Sequence, residues 1–253
     1  MQLPMKSYQT EYSKINPSLY NEDTRKIKAK KILAVLKNIE SIRLGKCRCI
    51  EIGCSTGINT NFLATYCKEC VGIDIDIDAV LFARSNSDPS TQFLIGDAIR
   101  VPFTDNSCDI VICNHVYEHV PDSQLLMKEI FRILRPGGIC YFAAGNKYSI
   151  IEGHYKLPFL SWLPKSMAHV YLKLTGNGQL YYENHLSYFG LRKLVKDFSV
   201  MDYTLKIVQN PRQFGAEDMI HPNSLITSVP IIFLKMSQLL IPTYIFVLVK
   251  PHR

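Results

Sequence analysis

The sequence predicts an α/β protein in which a mostly parallel β-sheet is covered by helices on both faces. Short, nearly continuous apolar runs, such as 49–53, 70–74 and 108–114, alternate with amphipathic segments. Strands of that kind are buried on both faces of a sheet. The chain has 253 residues, of which 47% are hydrophobic, and that is enough to bury one sizeable core.

The elements up to residue 145 follow from periodicity. A helix is predicted over 22–43, because apolar side chains recur among lysines at helical spacing. Arg135–Gly138 is expected to close a later amphipathic helix. The remaining elements are strands at 49–53, 70–74, 91–95, 108–114 and 139–144, and helices at 58–67, 78–85 and 121–134.

The alternation breaks after residue 145. Residues 146–186 are rich in Tyr, Leu, Pro and His, and are expected to form an inserted helical lid. A helix at 187–198, a strand at 200–208 and a last strand at 243–249 complete the sheet. We therefore predict an N-terminal helical cap over 1–45, a cofactor-binding core over 46–145, and an acceptor-binding region with the closing strands over 146–253.

Charge is distributed unevenly along the chain. Residues 1–45 carry nine Lys/Arg against four Asp/Glu, residues 46–145 eight against twelve, and residues 146–253 twelve against six. The net charges are therefore +5, −4 and +6. The acidic middle suits a ligand with positive charge, whereas the basic flanks suit an anionic acceptor, nucleic acid or an anionic membrane surface.

The eight cysteines all lie between residues 47 and 140, several of them in apolar strand-like runs. This distribution indicates buried, reduced thiols. Cys47 and Cys49, with Cys67 and Cys70, could be tested as a zinc site. The first pair lacks the Cys-x-x-Cys spacing of zinc knuckles, so we expect these thiols to pack in the core, without a metal.

Polar and glycine residues stand where the predicted strands end. Gly53 and Gly57 follow the first strand, Asp74 ends the second, Asp97 follows the third, and Asn114-His115 follow the fourth. Ligands of open α/β sheets bind at this edge. A carboxylate at Asp74 can accept both hydroxyls of an adenosine ribose, and Asp97 is placed to receive an adenine amino group.

The turn after the first strand distinguishes between nucleotide cofactors. A dinucleotide-binding turn has three glycines, so that a pyrophosphate can rest on a helix N-terminus. Here Ser55 takes the second glycine position, and Ile58 stands where a third would be expected. Glu51 would repel a pyrophosphate, but it suits the ammonium and sulfonium groups of S-adenosylmethionine.

Residues 49–145, about 40% of the chain, resemble the methyltransferase domain of the class I S-adenosylmethionine-dependent family that includes the ubiquinone/menaquinone-biosynthesis methyltransferases (methyltransferase type 11). The matching motifs are Cys49–Gly57, Val71–Asp76, Gly96–Ala98, Val101–Asn106, Cys108–Val120 and Leu134–Gly138. The resemblance implies a Rossmann-like, seven-stranded sheet whose last strand is antiparallel to the rest.

The resemblance also implies the roles of individual residues. Gly53 and Gly57 would lie at the methionine moiety, Asp74 at the ribose, and Asp97 with Ala98 at the adenine. The remaining predicted cofactor contacts are Glu51, Cys54, Ser55, Thr56, Ile75, Asn114 and His115. Ser55 departs from the family, which usually has glycine there, and this puts the backbone angle at that position in question.

Three histidines are candidate catalytic bases: His119, His154 and His185. A base is needed only if the acceptor carries a proton of high pKa, and histidine suits that task near neutral pH. For His119 the alternative is that Glu118-His119 orients a loop. For His154 and His185 it is a partly buried imidazole with satisfied hydrogen bonds.

We expect transfer of a methyl group to an oxygen atom of a small or lipid-linked acceptor, a class that includes lipid-linked glycans. RNA methylation is one alternative, although Lys and Arg are not interleaved with aromatic residues, and a cofactor-binding regulatory protein is another. An NAD-dependent or nucleotide-sugar enzyme is a third.

The sequence shows no carboxylate cluster of the catechol-type metal site. It predicts a cytoplasmic protein. Segments 154–174 and 226–240 mix apolar and basic residues, a composition that suits either peripheral membrane contact or packing on the domain itself.

Overall fold

The computed structural model describes residues 10–252. Residues 1–9 of the expected N-terminal cap and residue 253 of the expected C-terminal region lie outside the described residues. The helices are α1 (Tyr12–Ile15), α2 (Glu22–Lys37), α3 (Ile58–Ala64), α4 (Ile77–Ser85), α5 (Ser123–Ile133), α6 (Lys165–Leu174), α7 (Tyr188–Leu194), α8 (Thr204–Gln209), α9 (Leu225–Ser228) and α10 (Ile231–Ser237). The strands are β1 (Arg48–Ile52), β2 (Glu69–Asp74), β3 (Gln92–Ile95), β4 (Cys108–Asn114), β5 (Leu134–Gly145), β6 (Ser199–Asp202) and β7 (Thr243–Val249).

The described strands form one sheet in the order β3-β2-β1-β4-β5-β7-β6. Neighbouring strands from β3 to β5 are parallel, whereas β7 is antiparallel to both β5 and β6. This confirms the prediction of a mostly parallel, seven-stranded sheet with an antiparallel last strand.

Helices cover both faces because side chains alternate along each strand. On one face, Val111 and Cys113 of β4 pack in a core with Leu126 and Ile130 of α5 and with α7. On the other face, Ile110 and Ile112 pack in a second core that includes Ile32 and Leu36 of α2 and parts of α8. The carboxyl edge of the parallel strands is left to loops and to the N-terminal segment.

The structure corrects three predicted elements. The helix expected over 22–43 ends at Lys37. The turn expected at Arg135–Gly138 belongs to β5, which begins at Leu134 directly after α5. The strand expected over 200–208 stops at Asp202, whose Oδ1 accepts a hydrogen bond from the Thr204 backbone N–H (2.9 Å). The chain then turns into α8, so that residues of alternating polarity form a helix that packs on both α10 and the sheet.

The predicted thiols and the apolar C-terminal segment can also be placed. All eight cysteines are free, and only Cys67 among them is not buried. Their burial agrees with the predicted packing of the thiols in the core. Within residues 10–252, no helix combines the length and apolarity that crossing a bilayer requires.

Candidate functional site

The loop after β1 is tied to the end of β2. The backbone N–H groups of Gly53 and Cys54 both donate to the Ile73 carbonyl (2.8 and 3.2 Å). The Ser55 N–H donates to Oδ2 of Asp74 (2.7 Å). The predicted cofactor turn and the predicted ribose carboxylate are therefore joined by a direct hydrogen bond.

Three residues of this turn have left-handed backbone angles. The φ angles are +75° at Gly53, +50° at Ser55 and +74° at Gly57. Ser55 thus adopts the angle that glycine would take, at a steric cost of about 1–2 kcal/mol for a residue with a Cβ. A Cβ at Gly57 would lie 2.5 Å from Cε1 of Phe93, so close packing as well as the angle requires glycine there.

Three of the predicted contact residues direct their side chains into the protein. Both oxygens of buried Glu51 accept hydrogen bonds from α3, from Asn59 Nδ2 (3.2 Å) and Thr60 Oγ1 (2.5 Å). Burial outweighs these bonds and raises the pKa of Glu51. The Cys54 thiol packs in a small apolar cluster, and Thr56 Oγ1 donates to the Leu19 carbonyl (2.7 Å).

Asp74 lies half-buried at the end of β2. Its Oδ2 accepts from Ser55 and its Oδ1 from the Asp76 N–H (2.9 Å). Burial raises the pKa of Asp74 against these backbone bonds. Each carboxylate oxygen can accept two hydrogen bonds, so Asp74 keeps capacity to accept from ligand hydroxyls.

The other predicted cofactor residues line the same edge. Ile75, Asp97, Ala98 and Asn114 are half-buried at the ends of β2, β3 and β4. Asp97 Oδ1 accepts from the Ile99 N–H (3.0 Å). The carboxylates at this edge accept hydrogen bonds and carry negative charge. They therefore fit a positively charged ligand with several hydroxyl groups better than a diphosphate. This edge thus fits S-adenosylmethionine.

An N-terminal segment, Tyr12–Tyr20, lies over this edge. The Ser13 N–H donates to Asp76 Oδ2 (2.7 Å), Lys14 pairs with Asp78 (3.3 Å), and Leu19 receives the bond from Thr56. Residues 1–20 show no clear hydrophobic periodicity, so these contacts could not be predicted from the local sequence. The segment covers the turn that carries the predicted cofactor contacts.

A second polar group lies beyond β4 and β5, next to the cofactor edge. We name it the His/Glu cluster, and it consists of His115, Glu118, His119, Glu152, His154, Glu183 and His185. A cavity of about 60 Å³ is lined by three of its histidines, His115, His154 and His185, together with Glu152 and Gly145. All three predicted catalytic histidines belong to the cluster, and His115, a predicted cofactor contact, lies at its border.

Glu152 organises the centre of the cluster. Its Oε1 lies 2.8 Å from His154 Nδ1 and 3.2 Å from His185 Nε2. Its Oε2 accepts from the backbone N–H groups of His154 and Tyr155 (2.8 Å each). Burial acts to raise the pKa of Glu152, but the bonds from the two imidazoles outweigh burial and hold the pKa far below its ordinary value.

The imidazoles of the cluster have opposite pKa shifts. Burial alone would lower the pKa of His154, but the hydrogen bond to Glu152 and its charge outweigh burial and raise it. Burial lowers the pKa of His119 to about 4, helped by the neighbouring imidazoles and opposed by Glu118. The rings of His119 and His154 meet edge to face, with centroids 4.9 Å apart.

Glu118 forms the floor of the cluster. Its side chain is fully buried, and its Oε1 lies 3.1 Å from His115 Nδ1. Burial would raise the pKa of Glu118, but the bond from His115 and the adjacent imidazoles lower it to about 2. His119 Nδ1 lies 3.9 Å from Glu183.

Tyr117 positions His185 beside the end of β5. The Tyr117 hydroxyl donates to the Gly145 carbonyl (2.6 Å) and accepts from the Leu186 N–H (2.9 Å). A Cβ at Gly145 would meet His185 Cε1 at 2.7 Å. Only glycine at the end of β5 leaves enough space for the His185 imidazole.

The structure brings together three glutamates that the sequence analysis did not select as site residues. Glu118, Glu152 and Glu183 lie far apart in the sequence, and they meet only because three loops converge. Each is one or two residues from a predicted histidine, and that recurring Glu/His pairing is the signal that could have identified them.

Comparisons with known proteins support the fold and the family. Residues 50–142 match the family model of the methyltransferase domain. A probable S-adenosylmethionine-dependent methyltransferase of Mycolicibacterium smegmatis is 30% identical over 104 residues, which is 41% of this chain and 40% of that protein. A fatty-acid O-methyltransferase of the same organism is 32% identical over 112 residues, 42% of this chain and 40% of that protein. The matched regions thus span about two fifths of the length of these relatives.

A structural neighbour extends the likeness beyond the matched segment. The PH0226 protein of Pyrococcus horikoshii superposes with a TM-score of 0.63 at 17% identity, covering 95% of this chain and 98% of that one. At that identity the likeness shows the fold. Residues 50–142 of this chain are thus similar to the methyltransferase domain of S-adenosylmethionine-dependent enzymes, within a fold that extends over most of the chain.

Proposed function

We propose that the protein transfers a methyl group from S-adenosylmethionine to an oxygen of a small or lipid-linked acceptor. One observation carries the proposal: Glu152 holds two imidazoles in the wall of a cavity beside the cofactor edge. An acceptor hydroxyl in that cavity would meet groups that can take its proton.

The strand-end residues would hold the cofactor. Asp74 receives the ribose hydroxyls, Asp97 and Ala98 flank the adenine, and the backbone of Gly53–Gly57 faces the methionine moiety. When bound, S-adenosylmethionine supplies a methyl group on sulfonium sulfur, which leaves as a neutral thioether when an acceptor lone pair attacks the methyl carbon. The turn and the N-terminal segment keep water from this edge, and alignment supplies much of the rate.

The His/Glu cluster takes the proton that the hydroxyl releases. His154 and His185 border the cavity, and the Glu152 carboxylate stabilises either imidazole in its protonated form. A positioned acid or base contributes about 10²–10⁴-fold to a rate. His119 is the third candidate base, and its ring packs edge to face against the ring of His154.

An exposed apolar rim supports an amphiphilic acceptor. Tyr148, Ile150, Ile151, Phe159 and Trp162 are each 38–49% exposed, and they flank the cavity-lining segment that contains Glu152. Aromatic side chains with one polar end suit a lipid–water interface. The related fatty-acid O-methyltransferase supports this class of acceptor, and peripheral contact with a membrane would then bring acceptor and cavity together.

A labelling experiment tests the proposal. The purified protein is incubated with methyl-labelled S-adenosylmethionine and with lipid, glycan, RNA and small-molecule fractions of cells. We expect label on oxygen in the lipid or small-molecule fraction, and none with an Asp74→Ala control. Label in RNA alone, or cofactor binding without transfer to any fraction, would contradict the proposal.

A further inference from the structure

The centre of the His/Glu cluster has the composition of a metal site. Glu152, His154 and His185 each offer one ligand atom, and these three atoms lie within 4.8 Å of one another. Two imidazoles and one carboxylate are a common set for catalytic zinc and for other first-row divalent ions. The three residues also border the cavity, where further coordination positions would be open.

The distances fit a coordination shell. With bonds of about 2.1 Å, adjacent ligand atoms lie about 3.0 Å apart in an octahedral site and about 3.4 Å apart in a tetrahedral one. Glu152 Oε1 lies 2.8 Å from His154 Nδ1 and 3.2 Å from His185 Nε2. Small side-chain movements would therefore replace these two hydrogen bonds by bonds to a shared ion.

Two buried atoms provide independent support. The His185 side chain is 5% exposed, and its Nδ1 has no hydrogen-bond partner among the described residues. Fully buried Glu118 likewise leaves Oε2 without a partner in residues 10–252. A Cβ built on Gly145 would lie 2.9 Å from His185 Nδ1 and 3.4 Å from Glu118 Oε1, so both groups surround one point. Metal-bound imidazoles usually donate their second N–H to a carboxylate, and Glu118, on whose pKa the charge of His185 acts, would take that role after a small side-chain movement.

The balance of charge favours a cation. Among residues 10–252, the ion pairs of Glu118 and Glu152 are with histidines. Buried carboxylates are stable only when they are paired or coordinate a metal. A divalent ion would compensate both carboxylates.

We propose that Glu152, His154 and His185 bind one first-row divalent metal ion, and that the ion coordinates the acceptor hydroxyl. The catalytic role of the ion rests on the proposed function, but the existence of the metal site does not. Coordination acidifies the hydroxyl. Because His154 and His185 would then be ligands and not bases, the proton passes to a group of the cluster outside the ligand set, in place of those two imidazoles. A second grouping, Glu118, His119 and His154, is also of ligand dimensions, but His119 does not border the cavity, and Glu118 is already bonded to His115.

Cobalt binding tests the site without an activity assay. The full chain is treated with a chelator, dialysed, and titrated with Co²⁺ while visible absorption is recorded, and Zn²⁺ is then added as a competitor. We expect one equivalent of Co²⁺ to bind and to be displaced by Zn²⁺. His154→Ala and His185→Ala should abolish the spectrum, and Glu118→Gln should weaken binding about 10–100-fold.

Two controls separate this site from other histidines. His221→Ala, at an exposed position, and His119→Ala should leave Co²⁺ binding unchanged, and calorimetry with S-adenosylmethionine checks that each variant is folded. The proposal is overturned if the wild type binds no stoichiometric Co²⁺, if His185→Ala binds like the wild type, or if His119→Ala loses the spectrum. Stoichiometric binding without methyl transfer to oxygen would refute only the proposed function, whereas chelator-insensitive transfer without binding would refute only the metal site.

Discussion

The cofactor edge and the His/Glu cluster lie side by side, yet they are built in different ways. The predicted cofactor residues lie at or just beyond the ends of strands, and the parallel sheet brings those ends together. The cluster instead joins the segment after β4 to two distant loops, at Glu152–His154 and at Glu183–His185. The first site depends on backbone topology, and the second depends on loop contacts such as the Tyr117 bridge between Gly145 and Leu186. We infer that the first is generic to the fold and that the second sets the chemistry of the acceptor.

Asp74→Ala should have the largest effect on cofactor binding. Two charged hydrogen bonds to the ribose are lost, each worth about 1.5–3 kcal/mol, so affinity for S-adenosylmethionine should fall at least about 100-fold. Calorimetry measures this directly. Asp78→Ala is the matched control, because that carboxylate lies on the same edge but pairs with Lys14 in solvent. Equal effects of the two substitutions would remove Asp74 from the site.

Glu152→Gln should separate the two regions. The amide cannot stabilise a protonated imidazole or bind a metal ion as a carboxylate does, so methyl transfer should fall about 100-fold. Affinity for S-adenosylmethionine should remain that of the wild type. Glu217→Gln, in an exposed pair with Arg212, makes the same chemical change elsewhere and should be silent. A loss of cofactor affinity with unchanged turnover would reverse the assignment of the two regions.

The same contrast explains what could be predicted from the sequence. That Asp74, Asp97 and the Gly53–Gly57 turn lie on one edge of the sheet could be predicted, because a strand followed by a polar residue is a local pattern. Glu118, Glu152 and Glu183 were missed because no local pattern records which loops converge. The predicted boundary between β6 and α8 was wrong for a related reason. The alternating residues after Asp202 fit a strand, and only their packing against α10 and the sheet favours the helix.

Gly57→Ala should destabilise the cofactor edge. The new Cβ would take a left-handed angle and lie 2.5 Å from Phe93, so the free energy of unfolding should fall by about 2 kcal/mol or more. Chemical denaturation measures it. Gly153→Ala is the comparison, because a Cβ there has no neighbour within 4 Å. If both variants were equally stable, the turn would not be as closely packed as described.

Ser55→Gly should have the smallest effect. Glycine relieves the left-handed strain of about 1–2 kcal/mol, but it costs about 0.5–1 kcal/mol of chain entropy. Stability should therefore stay the same or rise slightly in the same denaturation experiment. A clear loss of stability would mean that the Ser55 side chain holds the turn by a contact that the structure does not contain.

A crystal structure with S-adenosylhomocysteine bound is the most direct test of how the two regions work together. We predict that the ribose hydroxyls contact Asp74 and that the sulfur is directed toward the cavity between Gly145 and the His/Glu cluster. A ribose bound away from Asp74, or a sulfur facing away from that cavity, would contradict the shared site.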